Sequence, residues 1–171
     1  IGIIGLGHVG RIVAEYCNAF HMTVLGYSHK LIEMCSVEQV DLDTLFRDSD
    51  IISLHVQLTD STRHLINAET FSKMKPDALL INTSRGGTVD EAALITALEN
   101  KDISGACLDV FETEPLKPDS PLRDLKNVLL TPHTAGLPDG IKYHKKRYAF
   151  FVRNIEKVMR HETPECCLNT V

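Results

Sequence analysis

The chain has 171 residues, 43% of them hydrophobic and 24% charged, with a net charge of -5. That length suits one domain with a substantial core, and the acidic balance argues against a nucleic-acid surface, which would carry a basic patch. No apolar run approaches the roughly 20 residues of a membrane-spanning helix, and no signal peptide is visible. The sequence starts at Ile1 inside an apolar run and reads as part of a longer protein.

Strand and helix signals alternate along the chain, which predicts βαβ units and a parallel sheet. Residues 1–4 form an apolar run that stops at Gly5. Residues 9–20 have helical spacing, with Val9, Ile12, Val13, Tyr16 and Phe20 on one face. Residues 23–27 read as a second strand and 37–40 as a short third. A helix opens over 43–46 with Asp41 or Asp43 as its cap.

Strands follow at 51–56 and 78–81, separated by one or two helical turns within 65–74 that stop at Pro76. Residues 90–100 make a helix with Ala93, Leu94, Ala97 and Leu98 inward and acids in its first turn. The last strands are 104–108 and 128–130. Residues 139–161 read as a long amphipathic helix, with Tyr148, Phe151, Val152, Ile155 and Met159 on its apolar stripe. That stripe packs either on this domain's own sheet or on something outside this chain. The expected fold class is therefore α/β, a Rossmann-type doubly wound parallel sheet with helices on both faces.

The chemistry-bearing residues cluster where strands end. Gly5-Leu6-Gly7-His8-Val9-Gly10 follows a strand and opens a helix. Gly5 permits the tight turn, Gly7 lets backbone approach a pyrophosphate, and Gly10 allows close packing of helix on strand. Free N–H groups and the helix dipole then favour an anion there. In such folds an acid about 20 residues on takes the ribose 2′-OH. Here Ser28, His29 and Lys30 follow the second strand, with no acid before Glu33. A hydroxyl and a cation tolerate a 2′-phosphate, so the cofactor is NAD or NADP, with NADP slightly favoured. The plainer alternative leaves Lys30 in solvent and NAD bound through other contacts.

Arg85 lies past a strand end beside Gly86-Gly87, a glycine pair that lets backbone approach a ligand. Its planar fork suits a carboxylate. His133 follows Thr131-Pro132, and histidine is the natural acid–base group near neutral pH. If Glu114 meets it, the charged imidazole is favoured; otherwise Glu112 and Glu114 are both solvated loop acids. The five cysteines are irregularly spaced and read as reduced thiols of a cytoplasmic protein. Cys166-Cys167 lack the spacing of a zinc pair, so no metal is expected. Asn82-Thr83-Ser84 matches a glycosylation sequon by chance at the end of a buried-looking strand.

These motifs, together with Leu54-His55-Val56-Gln57-Leu58-Thr59, Ile81-Asn82-Thr83-Ser84-Arg85-Gly86, Leu108-Asp109-Val110-Phe111-Glu112-Thr113-Glu114-Pro115 and Pro132-His133-Thr134-Ala135-Gly136, occur in a fixed order. In them the chain resembles the nucleotide-binding domain of the D-isomer-specific 2-hydroxyacid dehydrogenases, the family of phosphoglycerate dehydrogenases and glycerate or hydroxypyruvate reductases. The resemblance implies NAD(P)-dependent interconversion of a 2-oxo acid and a D-2-hydroxy acid. Arg85, Glu114 and His133 would be the catalytic residues, with His133 exchanging the substrate proton, Glu114 paired to it and Arg85 orienting the acid. Cofactor contacts would come from Gly5, Gly7, His8, Val9, Gly10, Ser28, His29, Lys30, Gln57, Thr83, Asp109, His133, Ala135 and Gly136. Among these, Asp109 would serve the nicotinamide end.

Ser28 replaces the family's usual acid, and Gln57 stands where proline is common. The resemblance further implies that residues 1–171 are one NAD(P)-binding domain, with a core at 1–136 and a C-terminal helix and tail at 137–171. A substrate domain would lie outside this chain, and the complete protein would be a homodimer. A cofactor-sensing corepressor of the same fold, or a formate or phosphite dehydrogenase of the same superfamily, is the rival reading. Such corepressors tend to carry Trp after the histidine motif, and this chain has no Trp.

Overall fold

The computed structural model describes residues 1–30, 32, 34, 36–136 and 141–165, without the side chains of 141–144, 146 and 147. Residues 1–134 and 135–171 form two compact units. In the first, seven strands make one parallel sheet: β1 (Gly2–Ile4), β2 (Leu25–Tyr27), β3 (Glu38–Gln39), β4 (Ile51–Leu54), β5 (Leu79–Asn82), β6 (Gly105–Leu108) and β7 (Val128–Leu130). Their order is β3-β2-β1-β4-β5-β6-β7, so the direction of winding reverses between β1 and β4. The helices are α1 (His8–Ala19), α2 (Leu42–Asp48), α3 (Ala68–Phe71) and α4 (Glu91–Asn100). The expected doubly wound α/β fold is present, with most strands a residue or two shorter than their apolar runs.

Register assigns the two faces of the sheet. Ile4 pairs with Leu54, then Asn82, Leu108 and Leu130, on the face that packs against α2, α3 and α4. Leu45, Phe46, Phe71, Leu94 and Leu98 bury themselves there, each fully buried apolar side chain being worth roughly 1.5–3 kcal/mol. The opposite row is Ile3, Ser53, Ile81, Cys107 and Leu129. Its burial falls along the sheet: Ile3 is 0% exposed under α1, Ser53 4%, and Leu129 62%.

Helix α1 turns a different side inward than its large apolar residues predict. Gly10 and Ala14 are buried, with Val13 and Cys17 packed alongside. Val9, Tyr16 and Phe20 are exposed, Phe20 to 81%. The reason is the close approach of α1 to the sheet. A Cβ at Gly10 would stand 2.0 Å from the carbonyl oxygen of Gly5, so only small residues fit that face and the bulky ones are displaced outward.

Caps set the helix starts. Asp41 accepts from Thr44 N at 2.7 Å and Asp90 from Ala93 N at 3.0 Å, while Asn67 closes a capping box with Thr70. Asp41, rather than Asp43, is thus the cap of α2. Helix α1 alone among these four has no side-chain cap; its N-cap is Gly7.

The second unit contains α5 (Ile141–Met159). Tyr148, Phe151, Val152, Ile155 and Met159 are exposed on it. Asn154 accepts a hydrogen bond from Glu165 N at 2.7 Å, so the segment after the helix folds back onto it. Residues 137–140 and 166–171, including Pro138, Asp139, Cys166 and Cys167, lie outside the described residues. Among the described residues no helix is long and apolar enough to cross a membrane.

The tight approaches predict stability. Gly10→Ala and Gly86→Ala each force a Cβ into backbone, 2.0 Å from Gly5 O and 1.9 Å from Phe111 C and O. Each should cost about 1–3 kcal/mol or more, as overpacking does. Gly7→Ala meets no atom within 4 Å and should cost about 1 kcal/mol or less, through capping alone. Denaturant midpoints rank the three variants, and equal loss at Gly7 and Gly10 would contradict this packing.

Candidate functional site

Because all seven strands are parallel, every strand exit lies at one sheet edge, and the crevice sits where winding reverses. The exits bring together the glycine turn after β1, Ser28 after β2, His55–Leu58 after β4, Thr83–Arg85 after β5, Asp109–Glu114 after β6 and Thr131–His133 after β7.

At the glycine turn Gly5 has φ +101°, which L side chains rarely adopt. Gly7 faces open space. Among the described residues the first-turn N–H groups of α1 have no side-chain acceptor, although α2, α3 and α4 all do. An open approach and an uncapped helix end fit a bound pyrophosphate, whose oxygens would serve as the missing cap. His8 and Val9 are exposed beside it. Val9, 58% exposed, lines a cleft of about 510 Å³ that also touches His55, Gln57, Thr83 and Arg85. This cleft runs from the helix end to the arginine.

His55 stands between those two ends. Its Nε2 is 2.9 Å from Ser53 Oγ, and burial holds its pKa below the ordinary 6.5. It therefore presents a neutral imidazole to the cleft at neutral pH. Gln57 is exposed, while its carbonyl accepts from Thr62 Oγ1 at 2.6 Å, which fixes the loop carrying it. On the other side of β1, His29 and Lys30 are exposed and Ser28 is half-buried. The His29 ring stands edge-on to Tyr27, with centroids 5.8 Å apart.

Arg85 is positioned from below by a buried amide. Asn82, 1% exposed, accepts from Ser84 N at 3.0 Å and Ser84 Oγ at 2.8 Å. It donates to the Arg85 carbonyl at 3.1 Å and to Thr88 Oγ1 at 3.3 Å. Asn82 thus serves the arginine loop with both ends of its amide. The Arg85 side chain is exposed, with one guanidinium N–H on Ser84 O at 2.6 Å and further donors left for a ligand. Gly86 is pressed on the Phe111–Glu112 backbone and Gly87 on Leu58. The glycine pair therefore serves close packing between loops, where the sequence suggested approach to a ligand.

Glu112 and Glu114 each pair with a histidine. His133 Nδ1 lies 2.6 Å from Glu114 Oε2, and Glu114 Oε1 accepts from Phe111 N at 3.1 Å. The hydrogen bond from His133, helped by that backbone N–H, holds the Glu114 carboxyl below its usual 4.5. His64 Nε2 lies 2.5 Å from Glu112 Oε1, tying the loop after β4 to the exit of β6. Both glutamates are exposed loop acids, as the alternative reading had them, yet each has a histidine partner.

Asp109 is 3% exposed. Its Oδ1 accepts from Thr131 Oγ1 at 2.5 Å and Thr134 N at 2.8 Å, and its carbonyl accepts from His133 N at 2.8 Å. His133 sits at φ +54°, a conformation uncommon outside glycine, and these bonds hold it there. Ala135 and Gly136 follow in the second unit and are exposed. Beside the His133–Glu114 pair lies a cavity of about 560 Å³ with apolar walls from Phe111, Pro115, Leu116 and Leu130. No group of three His, Cys, Asp or Glu among the described residues is arranged to hold a metal ion.

Sequence reasoning named Asn82, Thr131 and His55 only within motifs and gave them no role of their own, and it did not single out His64. A polar residue ending an apolar strand was a usable signal for the role of Asn82, which was read as a chance sequon and as one letter of a family motif. Nothing local marks His64, whose partner is 48 residues away.

The family model for the NAD-binding domain of D-isomer specific 2-hydroxyacid dehydrogenases matches residues 1–135. A glyoxylate reductase of Thermofilum pendens is 42% identical over 174 residues, covering 99% of this chain and 51% of that protein. A hydroxypyruvate reductase of Thermotoga maritima is 48% identical over 138 residues, covering 78% of this chain and 44% of that protein. Among solved structures, D-lactate dehydrogenase of Lactobacillus jensenii with NAD+ superposes with a TM-score of 0.89 at 33% identity, over 99% of this chain and 55% of that one. The NADPH-dependent glyoxylate/hydroxypyruvate reductase of Sinorhizobium meliloti, in complex with NADP and sulfate, gives 0.85 at 31% identity, over 96% and 53%. The chain spans about half the length of these relatives. The family match runs through β7 and its exit loop, so the whole parallel sheet lies inside it, and this chain belongs to the D-isomer specific 2-hydroxyacid dehydrogenases as their NAD-binding domain.

Proposed function

We propose that this chain is the cofactor-binding domain of an enzyme that interconverts a 2-oxo acid and a D-2-hydroxy acid, and that it also supplies Arg85, Glu114 and His133 to the reaction. The observation that carries this reading is the 2.6 Å His133–Glu114 pair at the same sheet edge as the uncapped start of α1. The relatives are about twice as long, and closure over the substrate is assigned to parts of the complete protein outside this chain. Cytoplasmic residence and a homodimeric complete protein belong to the same proposal. Cytoplasmic residence rests on the irregular spacing of the five cysteines, and the homodimer on the family resemblance alone.

When bound, the nicotinamide supplies or accepts the hydride. His133 engages Glu114 through Nδ1, which leaves Nε2 to give a proton to the carbonyl oxygen during reduction and to take the hydroxyl proton during oxidation. The Glu114 carboxylate stabilises the imidazolium and fixes the ring. Arg85 offers its remaining N–H donors to the substrate carboxylate. Asp109 acts through the Thr131–Thr134 loop, holding His133 in its left-handed conformation. The pyrophosphate goes to Gly7–Gly10, with Gly5 shaping the turn. His8 and Val9 lie with the pyrophosphate, Gln57 and Thr83 border the cleft along the cofactor, Ser28, His29 and Lys30 border the ribose, and Ala135 and Gly136 are assigned to the cofactor on the family resemblance alone.

In the complete enzyme His133→Ala should lower kcat by roughly 10² to 10⁴-fold. Arg85→Lys should raise KM for the 2-oxo acid with little change in cofactor Kd, because the charge stays and the fork is lost. Weak cofactor binding with intact substrate binding would instead assign Arg85 to the dinucleotide.

Glu114→Gln should act on stability. A folded-state pKa held below 4.5 means that Glu114 stabilises the fold above that value and ceases to do so as pH falls through the lowered one. Urea unfolding of the chain should show a deficit for Glu114→Gln near pH 6 that closes in acid below 4.5. A deficit independent of pH would remove the charged pair from the account.

Cofactor affinity is measurable on this chain by calorimetry. A Cβ at Gly7 meets no atom within 4 Å, so lost binding in Gly7→Val with retained stability identifies blocked approach of the pyrophosphate. Unchanged affinity would place the dinucleotide elsewhere. For cofactor choice we propose dual use with NADP bound about fivefold to tenfold tighter, the scale of one solvent-screened cation–phosphate contact. Ser28→Asp should reverse the order by accepting from a 2′-OH and repelling a phosphate. NAD bound more than tenfold tighter by the unaltered chain would return Lys30 to solvent.

A further inference from the structure

The loop after β2 is fastened by a side chain on another strand. Gln39 lies on the edge strand β3, paired in parallel with Gly26, and its amide reaches past the end of β2. The Oε1 accepts from Ile32 N at 3.0 Å. The Nε2 donates to Lys30 O at 2.9 Å and Ser28 O at 3.3 Å. One planar amide thus takes three backbone groups of a five-residue stretch. With those groups drawn onto Gln39, His29 and Lys30 are exposed and Ser28 is half-buried. Ser28 Oγ also accepts from Lys30 N at 3.4 Å, and Tyr27 meets the His29 ring edge-on.

We propose that Gln39 is the positioning residue for cofactor discrimination: its amide holds the backbone at Ser28, Lys30 and Ile32 so that Ser28 and Lys30 face the ribose 2′ position at a fixed distance. The proposal rests on the reading of residues 28–30 as the ribose end of the cofactor site. A single charge or hydroxyl discriminates between a 2′-OH and a 2′-phosphate only if its backbone is held in place; on a loose loop it relaxes toward either cofactor at little cost. Gln39 needs no contact with the dinucleotide to have this effect. Both ends of its amide are required, one to accept and one to donate, and neither Glu nor Met reproduces that pattern.

The test uses calorimetric Kd values for NADP and NAD in four forms of the chain: unaltered, Gln39→Met, Ser28→Asp, and Ser28→Asp with Gln39→Met. Methionine keeps the length of the side chain and removes all three hydrogen bonds. The expected result is that Gln39→Met brings the NADP-to-NAD ratio to within about twofold of one, mainly by weakening NADP. In the Ser28→Asp background, the same change should flatten the reversed preference, mainly by weakening NAD. A Gln39→Met change that weakens both cofactors equally, or neither, in a background that prefers one of them overturns the proposal.

An unaltered chain with no preference contradicts the cofactor-choice reading alone, because the Ser28→Asp pair still decides the role of Gln39. Absence of any preference in all four forms overturns both. If Gln39→Met does not fold, Gln39→Glu serves in its place. It keeps the acceptor for Ile32 N and loses both donations, and the same loss of discrimination is expected, with NADP falling most.

Discussion

The parallel direction of all seven strands is the constraint from which the rest follows. It sends every strand exit to one edge, so residues distant in sequence share a surface without any long-range signal in the chain. It also requires crossovers, and packing the first crossover tightly on the sheet sets its sequence. Gly10 and Ala14 form the buried side of α1, and at Gly10 even a Cβ would meet the Gly5 carbonyl. The same reasoning applies to Gly86, where the arginine loop lies directly on the backbone leaving β6.

The edge is assembled from loops, and loops need fastening. Each one here is tied by a polar group that reaches from its own strand end or from a neighbouring one. Asn82 holds Arg85, Asp109 holds the His133 loop, His64 and Glu112 join the β4 and β6 exits, and Gln39 holds Ser28 to Ile32. The buried members are costly to disturb, since an orphaned buried donor or acceptor costs about 1–3 kcal/mol. The left-handed backbone of His133 adds strain of order 1–3 kcal/mol, offset by the three bonds that Asp109 and its carbonyl receive. The start of α1 is the exception in this pattern. Its N-cap, Gly7, supplies no side-chain acceptor, and under the proposed function the cofactor's pyrophosphate would complete it.

Much of this was legible in the sequence. The strand–turn–helix around Gly5–Gly10, the alternation of elements and the ordered motifs led to the fold, and the pairing of Glu114 with His133 appeared as one of two alternatives. What escaped had physical causes. Apolar periodicity in α1 pointed to Val9, Tyr16 and Phe20, but the closeness of the packed helix favours small residues, which periodicity does not weigh. Gln39 stands on a two-residue strand too short to show any pattern. Its three partners are backbone atoms, which leave no trace in residue identity. His64 and Glu112 looked like unrelated surface groups because the contact between them depends on how two loops settle over the sheet.

The central claim is that the ligand edge is the carboxyl edge of the sheet, from the glycine turn to the arginine loop. The most direct measurement is the change in backbone amide NMR signals as NADP is titrated into the isotope-labelled chain. The account predicts saturable shifts at Gly7 to Gly10, Ser28 to Lys30, Val56, Gln57 and Thr83, with Lys101, Ser104 and Lys126 at the opposite edge unmoved. Shifts centred on that opposite edge, or spread evenly over the chain without saturation, would contradict it.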